Sequence, residues 1–169
     1  MTARVLLSTA YLPPVEYFSA IATAGDVIIE NSENYHKQTY RNRCYIRSAS
    51  GLQILTVPVY EGSFRKIQIR DIRIDYSKRW QQIHLGALEA SYRGAPFYEF
   101  YIDEIAKILT ARFEFLTELN MALLKHLLNC LGLEKDISLS ESFEIPSNDN
   151  SDLRYTLSPK HKTGYVVKK

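Results

Sequence analysis

Long apolar runs are missing from this chain. No stretch approaches the ~18 apolar residues that a bilayer-spanning helix requires. The start, MTARVLLSTAYLPPVEYF, is only briefly apolar and is interrupted by Pro13-Pro14, so no cleavable signal segment is expected. Cysteine is scarce: Cys44 and Cys130 stand far apart without ligand-like spacing, which argues against a disulfide scaffold or a zinc site. Free thiols fit a reducing compartment, and the expected location is the cytoplasm. Glycine is sparse and scattered, 7 in all, too few to build a phosphate cradle. There is no GxGxxG, Walker loop, GxSxG or HExxH, and no histidine pair at ligand spacing. No metal is expected and no cofactor is assigned. An excess of positive charge is absent too: the net charge of +2 argues against a dedicated nucleic-acid binder.

Tyrosine is abundant, with 12 copies, and suits half-buried, hydrogen-bonding pockets. The 169 residues, 46% hydrophobic and 24% charged, fit one domain with a sizeable core. The expected organisation is a single domain over 1–157 and a flexible basic tail over 158–169.

Arg4 to Ala10 reads as a first strand. Pro14 can open a helix whose face is Val15, Phe18, Ile21 and Ala22, closed by Gly25. Val27-Ile28-Ile29 is a short buried strand, so a βαβ or crossover unit is expected. A polar loop, Asn31 to Gln38, leads to a hairpin: Tyr40 to Arg47, a turn at Ala49-Ser50-Gly51, and Leu52 to Tyr60. Ile67 to Ile74 alternates with a phase shift at Arg70-Asp71, which suggests a bulge.

Helical spacing then takes over. Trp80, Ile83, Leu88 and Tyr92 form one broad face. Phe97, Phe100, Tyr101, Ile105, Ile108 and Leu109 form a second, and Leu116, Leu119, Leu123, Leu127 and Leu128 a third, stopped by Gly132. The tail from Leu133 is polar, with a weak strand or none. The fold class expected is α+β: a mixed sheet of roughly five strands, built mainly from the N-terminal half, with C-terminal helices packed on one face.

The stretch from Asn34 to Arg43 concentrates cations, amides and rings. Lys37 and Arg43 can hold phosphate or carboxylate, Asn42 can orient a ligand, and Tyr35 can stack. The plain alternative is a solvated hairpin edge protected by charge. Tyr11 and Glu16 lie just past the first strand, where ligands gather in α/β folds. Glu16 there is a candidate base, or simply a complement to the helix dipole. His84, one turn after Trp80, is a candidate acid or base, or a structural histidine. Cys44, on the inward face of its strand, reads as a small hydrophobe rather than a nucleophile.

Several spaced motifs line up together. They are Tyr11-Leu12-Pro13 with Tyr17-Phe18, Asp26-Val27-Ile28-Ile29, Asn34-Tyr35-His36-Lys37, and Tyr40-Arg41-Asn42-Arg43-Cys44-Tyr45-Ile46. Leu55-Thr56-Val57-Pro58-Val59 and Trp80, His84, Tyr92, Pro96 and Phe97 follow in order. From Tyr11 to Leu131 the chain resembles the WbqC-like proteins. That resemblance implies a bacterial setting in O-antigen and other surface-polysaccharide gene clusters. It also implies acyl or aminoacyl transfer to a nucleotide-linked amino sugar, with Lys37, Asn42, Arg43 and His84 as site candidates. It further implies an aromatic, Gly-containing segment after the last helix. Here the sequence ends at Tyr165-Val166-Val167-Lys168-Lys169, and a pocket lacking that segment would be weak.

The first reading is therefore an enzyme whose ligand is a nucleotide sugar or another anionic small molecule, bound through Arg43. The second is a non-catalytic binding or assembly partner in a polysaccharide pathway, a homo-oligomer through its leucine-rich third C-terminal helix. The third, a nucleic-acid-binding module using the Arg/Tyr hairpin, is disfavoured by charge.

Overall fold

The computed structural model describes residues 4–60, 66–146 and 151–160. Strand β1, Val5–Ser8, is buried along its whole length, as expected of a strand in a parallel sheet. Helix α1, Val15–Thr23, crosses to β2, Val27–Glu30, which pairs with β1 in parallel from Val5↔Val27 to Ser8↔Glu30. The polar tail then supplies what its composition hides. β7, Ile137–Leu139, pairs in parallel with β2, and the segment around Asp152 bridges in parallel to Leu6 on the other edge of β1. All these segments run the same way, so their carboxyl ends share one side of the domain.

The remaining strands form separate ribbons rather than one five-stranded sheet. β3, Arg43–Ser48, and β4, Gly51–Thr56, are an antiparallel hairpin joined by Ala49 and Ser50. Pro58 cannot donate to a ladder, and the expected long returning strand breaks there. The short β5, Val59–Tyr60, pairs instead with β6, Arg73–Ile74. The phase shift near Arg70 is a 3₁₀ turn over Ile69–Asp71 rather than a bulge. The chain is α+β all the same, with four helices among the described residues, the last three following from Trp80 onward.

Helices α2, Trp80–Tyr92, α3, Tyr98–Thr110, and α4, Leu116–Cys130, follow. α4 is the axis of the domain. Its Leu116, Leu119 and Leu123 enter a core with the hairpin, α2 and α3, while Leu124 and Leu128 enter a second core with α1 and the parallel sheet. Of the leucine stripe, Leu116, Leu119, Leu123 and Leu128 are buried in these two cores, and Leu127 is half-buried. Three expected faces shift. α1 buries Tyr17 and Ile21 and exposes Val15; α2 buries Gln81 and His84 and exposes Ile83; α3 buries Leu109 and exposes Phe97 and Phe100. α1 is capped by Ala24, one residue before Gly25. Of the proposed tail, 161–169 lies outside the described residues. No helix among the described residues is long and apolar enough to cross a membrane.

Candidate functional site at the carboxyl ends of the parallel strands

Ser8, Glu30 and Leu139 end the three parallel strands, and the polar residues around them form a buried network. Arg41 donates from Nε to Glu33 Oε1 and from Nη2 to Glu33 Oε2, both at 2.7 Å. Its Nη2 also donates to Ser8 Oγ at 2.7 Å, and Ser8 Oγ in turn donates to the Arg154 carbonyl at 3.0 Å. Arg154 Nη1 donates to Glu30 Oε2 at 2.8 Å, and Nε and Nη2 grip the two Asp152 oxygens at 2.9 and 2.7 Å. Glu30 Oε1 accepts from the Ser32 N–H at 2.8 Å and from Ser140 Oγ at 2.6 Å. All five charged side chains are buried. Burial of so much charge is tolerable because each group is paired and hydrogen-bonded. The Tyr155 ring covers both guanidinium groups, 5.9 Å from Arg41 and 5.6 Å from Arg154.

Asn120 couples this network to α4. Its Nδ2 donates to Thr9 Oγ1 at 3.1 Å and to the Arg41 carbonyl at 2.8 Å, while its buried Oδ1 has no partner among the described residues. In front of Thr9 lies a cleft of about 520 Å³. Its floor comes from Thr9, Ile29, Asn31 and Leu139 at the strand ends; its walls come from Phe115, Thr117, Glu118, Met121, Ala122 and Lys125 of α4 and its approach, and from Arg70 of the 3₁₀ turn. Neither Arg70 nor Lys125 is in an ion pair among the described residues. Glu118 Oε2 accepts from the Phe115 N–H at 3.3 Å, which fixes that carboxylate at the lip. The arrangement offers two cations, hydroxyl and amide groups, one carboxylate and an apolar patch. That combination suits an anionic, hydroxyl-bearing small molecule. A second hollow, about 430 Å³, lies between the end of α4 and Ile137 at the start of β7, the wrong end of the strands for such a site.

The residues singled out from sequence do not converge on that cleft. Tyr11 and His84 meet each other instead, Tyr11 Oη to His84 Nδ1 at 2.8 Å, inside the hairpin-side core. Burial pushes the His84 imidazole down to about 4, opposed by a hydrogen bond to the Thr56 backbone. It is neutral at pH 7, with Nδ1 accepting from Tyr11. Burial also raises the Tyr11 phenol. Asn42 is buried and donates from Nδ2 to the Val57 carbonyl at 3.0 Å, which ties the entry of β3 to the exit of β4. Arg43 is half-buried on β3, and its enclosed Nε has no hydrogen-bond partner among the described residues. Tyr35 packs against the hairpin-side core, Lys37 is exposed on the loop, and Glu16 lies near Tyr40 at the start of α1. Burial pushes the Cys44 thiol up to about 12, so it is a core residue and no nucleophile. No group of three potential metal ligands occurs among the described residues.

Sequence reasoning did not single out Glu30, Glu33, Arg154, Asn120, Arg70 or Lys125, and took Arg41 only as one cation of the Asn34 to Arg43 stretch. One was findable: Asn120 interrupts the leucine stripe of α4 at a position whose helical phase is buried. Arg154 had no signal, because a polar tail gives no hint that it will be folded under a sheet edge.

A relative in Mycobacterium tuberculosis (strain ATCC 25618 / H37Rv), the uncharacterized protein Rv1507c, is 31% identical over 168 residues. The alignment covers 98% of this chain and 72% of the relative. No solved structure matches the chain. The WbqC-like protein family matches residues 9–167, a span that takes in the strand-end network and the tail as well as the motifs between Tyr11 and Leu131. Across nearly its whole length, this chain belongs to the WbqC-like protein family.

Proposed function

We propose that this protein binds a nucleotide-linked amino sugar in the strand-end cleft and serves bacterial surface-polysaccharide biosynthesis in the cytoplasm, as an acyl- or aminoacyl-transferase. The observation that carries the binding part is the pair of cations, Arg70 and Lys125, facing one cleft without a protein counter-ion among the described residues. Phosphate oxygens would lie between them, since a guanidinium fork and an ammonium together suit a diphosphate. Thr9, Asn31 and Thr117 would take sugar hydroxyls, and the apolar side of Phe115 and Met121 the flat face of a ring. Glu118 is the one carboxylate among the described lining residues and the natural acceptor for the proton of an attacking sugar amine or hydroxyl. Tyr11, His84 and Asn42 act by holding the walls. The membership of the chain in its family supports the pathway.

The test is a thermal-shift panel of nucleotide sugars, free nucleotides, acyl-CoA donors and a short oligonucleotide, followed by a turnover assay. A ligand that binds only the folded state raises the melting point by mass action. A selective rise with a nucleotide-linked amino sugar supports this reading. A rise with the oligonucleotide alone, falling steeply with salt, replaces it by nucleic-acid binding. The second reading, a non-catalytic assembly partner, is favoured by the solvent-exposed Phe97 and Phe100, and turnover by the isolated chain eliminates it.

A further inference from the structure

Residues 151–160 carry no helix or strand of their own, yet they are held at the ends of the parallel strands. The Leu6 N–H donates to the Ser151 carbonyl at 2.8 Å and the Leu153 N–H donates to the Leu6 carbonyl at 2.9 Å, which lays the segment along the edge of β1 away from β2. Leu153 and Leu157 pack on the core of the parallel sheet, and the Leu157 N–H donates to the Leu153 carbonyl at 3.1 Å, closing one turn. Between them Arg154 is 1% exposed and reaches into the strand-end network. Its two acids differ in kind. Asp152 belongs to the segment and travels with Arg154, whereas Glu30 belongs to the end of β2. Lifting the segment therefore keeps one ion pair, breaks the other, and takes the Arg154 cation away from Glu30. Segments with so few anchoring contacts are those that open locally, ahead of the rest of a fold.

The two strand-end residues that the segment grips stand next to the cleft. Ser8 Oγ donates to the Arg154 carbonyl and Glu30 accepts from the Arg154 guanidinium; the residue that follows each of them, Thr9 and Asn31, lines the cleft. Hydrogen bonds continue the connection. Glu30 Oε1 accepts from Ser140 Oγ, and Ser140 Oγ accepts from the Asn31 N–H at 2.9 Å. Ser8 Oγ accepts from Arg41, whose carbonyl accepts from Asn120 Nδ2, and that amide also donates to Thr9 Oγ1. No residue of 151–160 lines the cleft itself. A ligand in the cleft thus touches nothing of the segment, and an influence of one on the other passes through the strand ends.

We propose that residues 151–160 form a regulatory strap that docks and undocks as a unit, and that the strand-end cleft holds its anionic ligand only while the strap is docked. The inference rests on the reading of that cleft as an anion site. Docking fixes Ser8 and Glu30, and through them the floor at Thr9 and Asn31. Undocking leaves Glu30 without the Arg154 cation and frees the floor to shift. Coupling of this kind is reciprocal, so a ligand that never touches the strap holds it down by the same factor by which the strap favours the ligand.

The test is hydrogen exchange of the full chain, read by mass spectrometry on peptides from the strap and from α4, with inorganic pyrophosphate as the probe and its Kd measured by calorimetry. The strap amides of Leu153 and Leu157 are expected to exchange faster than those of the α4 core. Pyrophosphate at about ten times its Kd is expected to slow them about tenfold, because the open state does not bind it. Arg154→Met strands Glu30 under the docked strap; its strap is expected to stand mostly open, with pyrophosphate affinity lower by about tenfold or more. Leu157→Ala removes an apolar anchor and leaves the network in place, so it carries the test if Arg154→Met does not fold. Its strap exchanges faster than in wild type and is still slowed by pyrophosphate. A strap that exchanges no faster than the α4 core overturns the proposal. So does pyrophosphate that binds without slowing the strap, or a folded Arg154→Met with an open strap and unchanged affinity. Pyrophosphate that gives neither heat nor protection refutes the anion site itself, and the proposal with it, so the two failures are read apart.

Discussion

Arg41 and Glu33 face each other through two parallel hydrogen bonds of 2.7 Å, both side chains buried, across the loop that joins β2 to β3. The loop that looks from sequence like a ligand-binding arm is therefore clamped from within. The clamp also reaches Ser8 at the end of β1, and through it the backbone of Arg154. It ties the loop to the end of β1, beside the candidate cleft that Thr9 and Asn31 line.

Removing one partner of a buried pair strands the other charge. Arg41→Met or Glu33→Gln should each cost about 3–5 kcal/mol in urea unfolding. The double variant Glu33→Gln/Arg41→Met should cost less than the sum of the two single variants, because neither charge is left behind. Single variants that lose under about 1 kcal/mol would mean that the clamp is not holding the loop.

His84 gives a pH signature. An unfolded chain protonates this imidazole near 6.5, whereas burial holds it to about 4 in the folded protein. As pH falls from the unfolded value to the folded one, the unfolded state binds a proton that the folded state refuses. Stability is therefore lost through that window and the loss levels off below it. The expected loss from this group is roughly 3 kcal/mol. His84→Gln keeps an acceptor for Tyr11 and a donor for Thr56 but does not titrate, so its urea midpoint should fall less over the same range. Parallel profiles for the two proteins would remove His84 as the cause.

Gly132 ends α4 at φ 64°, where its N–H bonds the Asn129 carbonyl at 3.0 Å and the Leu133 N–H bonds the Leu128 carbonyl at 2.9 Å. A Cβ there would meet nothing within 4 Å, so Gly132→Ala has only a backbone cost, roughly 1 kcal/mol. The melting point should drop by roughly 2–4 °C, while Gly94→Ala in the turn before α3 leaves it nearly unchanged. Equal effects at both positions would show that the left-handed conformation is not what matters.

The pattern of the chain carried the local structure further than the site. Parallel β1 and β2 around α1, the hairpin with its turn, and three C-terminal helices follow from periodicity and from Pro14, Ala49-Ser50-Gly51 and Gly132. Faces were harder: Phe97 and Phe100 continue the apolar spacing of α3 yet stay outside, because Ile102, Ile105, Ile108 and Leu109 already fill the contact with the core. The site was least legible, since its parts come from strand ends, a 3₁₀ turn, α4 and the tail. Local spacing cannot show that Arg70 and Lys125 will line one cleft, or that Ser8 will bond the Arg154 carbonyl. Tyr11 and His84, two candidates from different motifs, are bonded to each other, a pairing that local spacing does not show.

The most direct measurement is calorimetric titration of a nucleotide-linked amino sugar into wild type, Arg70→Ala, Lys125→Ala and Arg43→Ala at fixed salt. If the strand-end cleft is the site, Arg70→Ala and Lys125→Ala each lose affinity by about tenfold or more, as expected when a charge-assisted hydrogen bond to phosphate is removed. Arg43→Ala, on the hairpin, binds like wild type. Loss of binding in Arg43→Ala with both cleft variants unaffected would contradict the account and move the site to the hairpin.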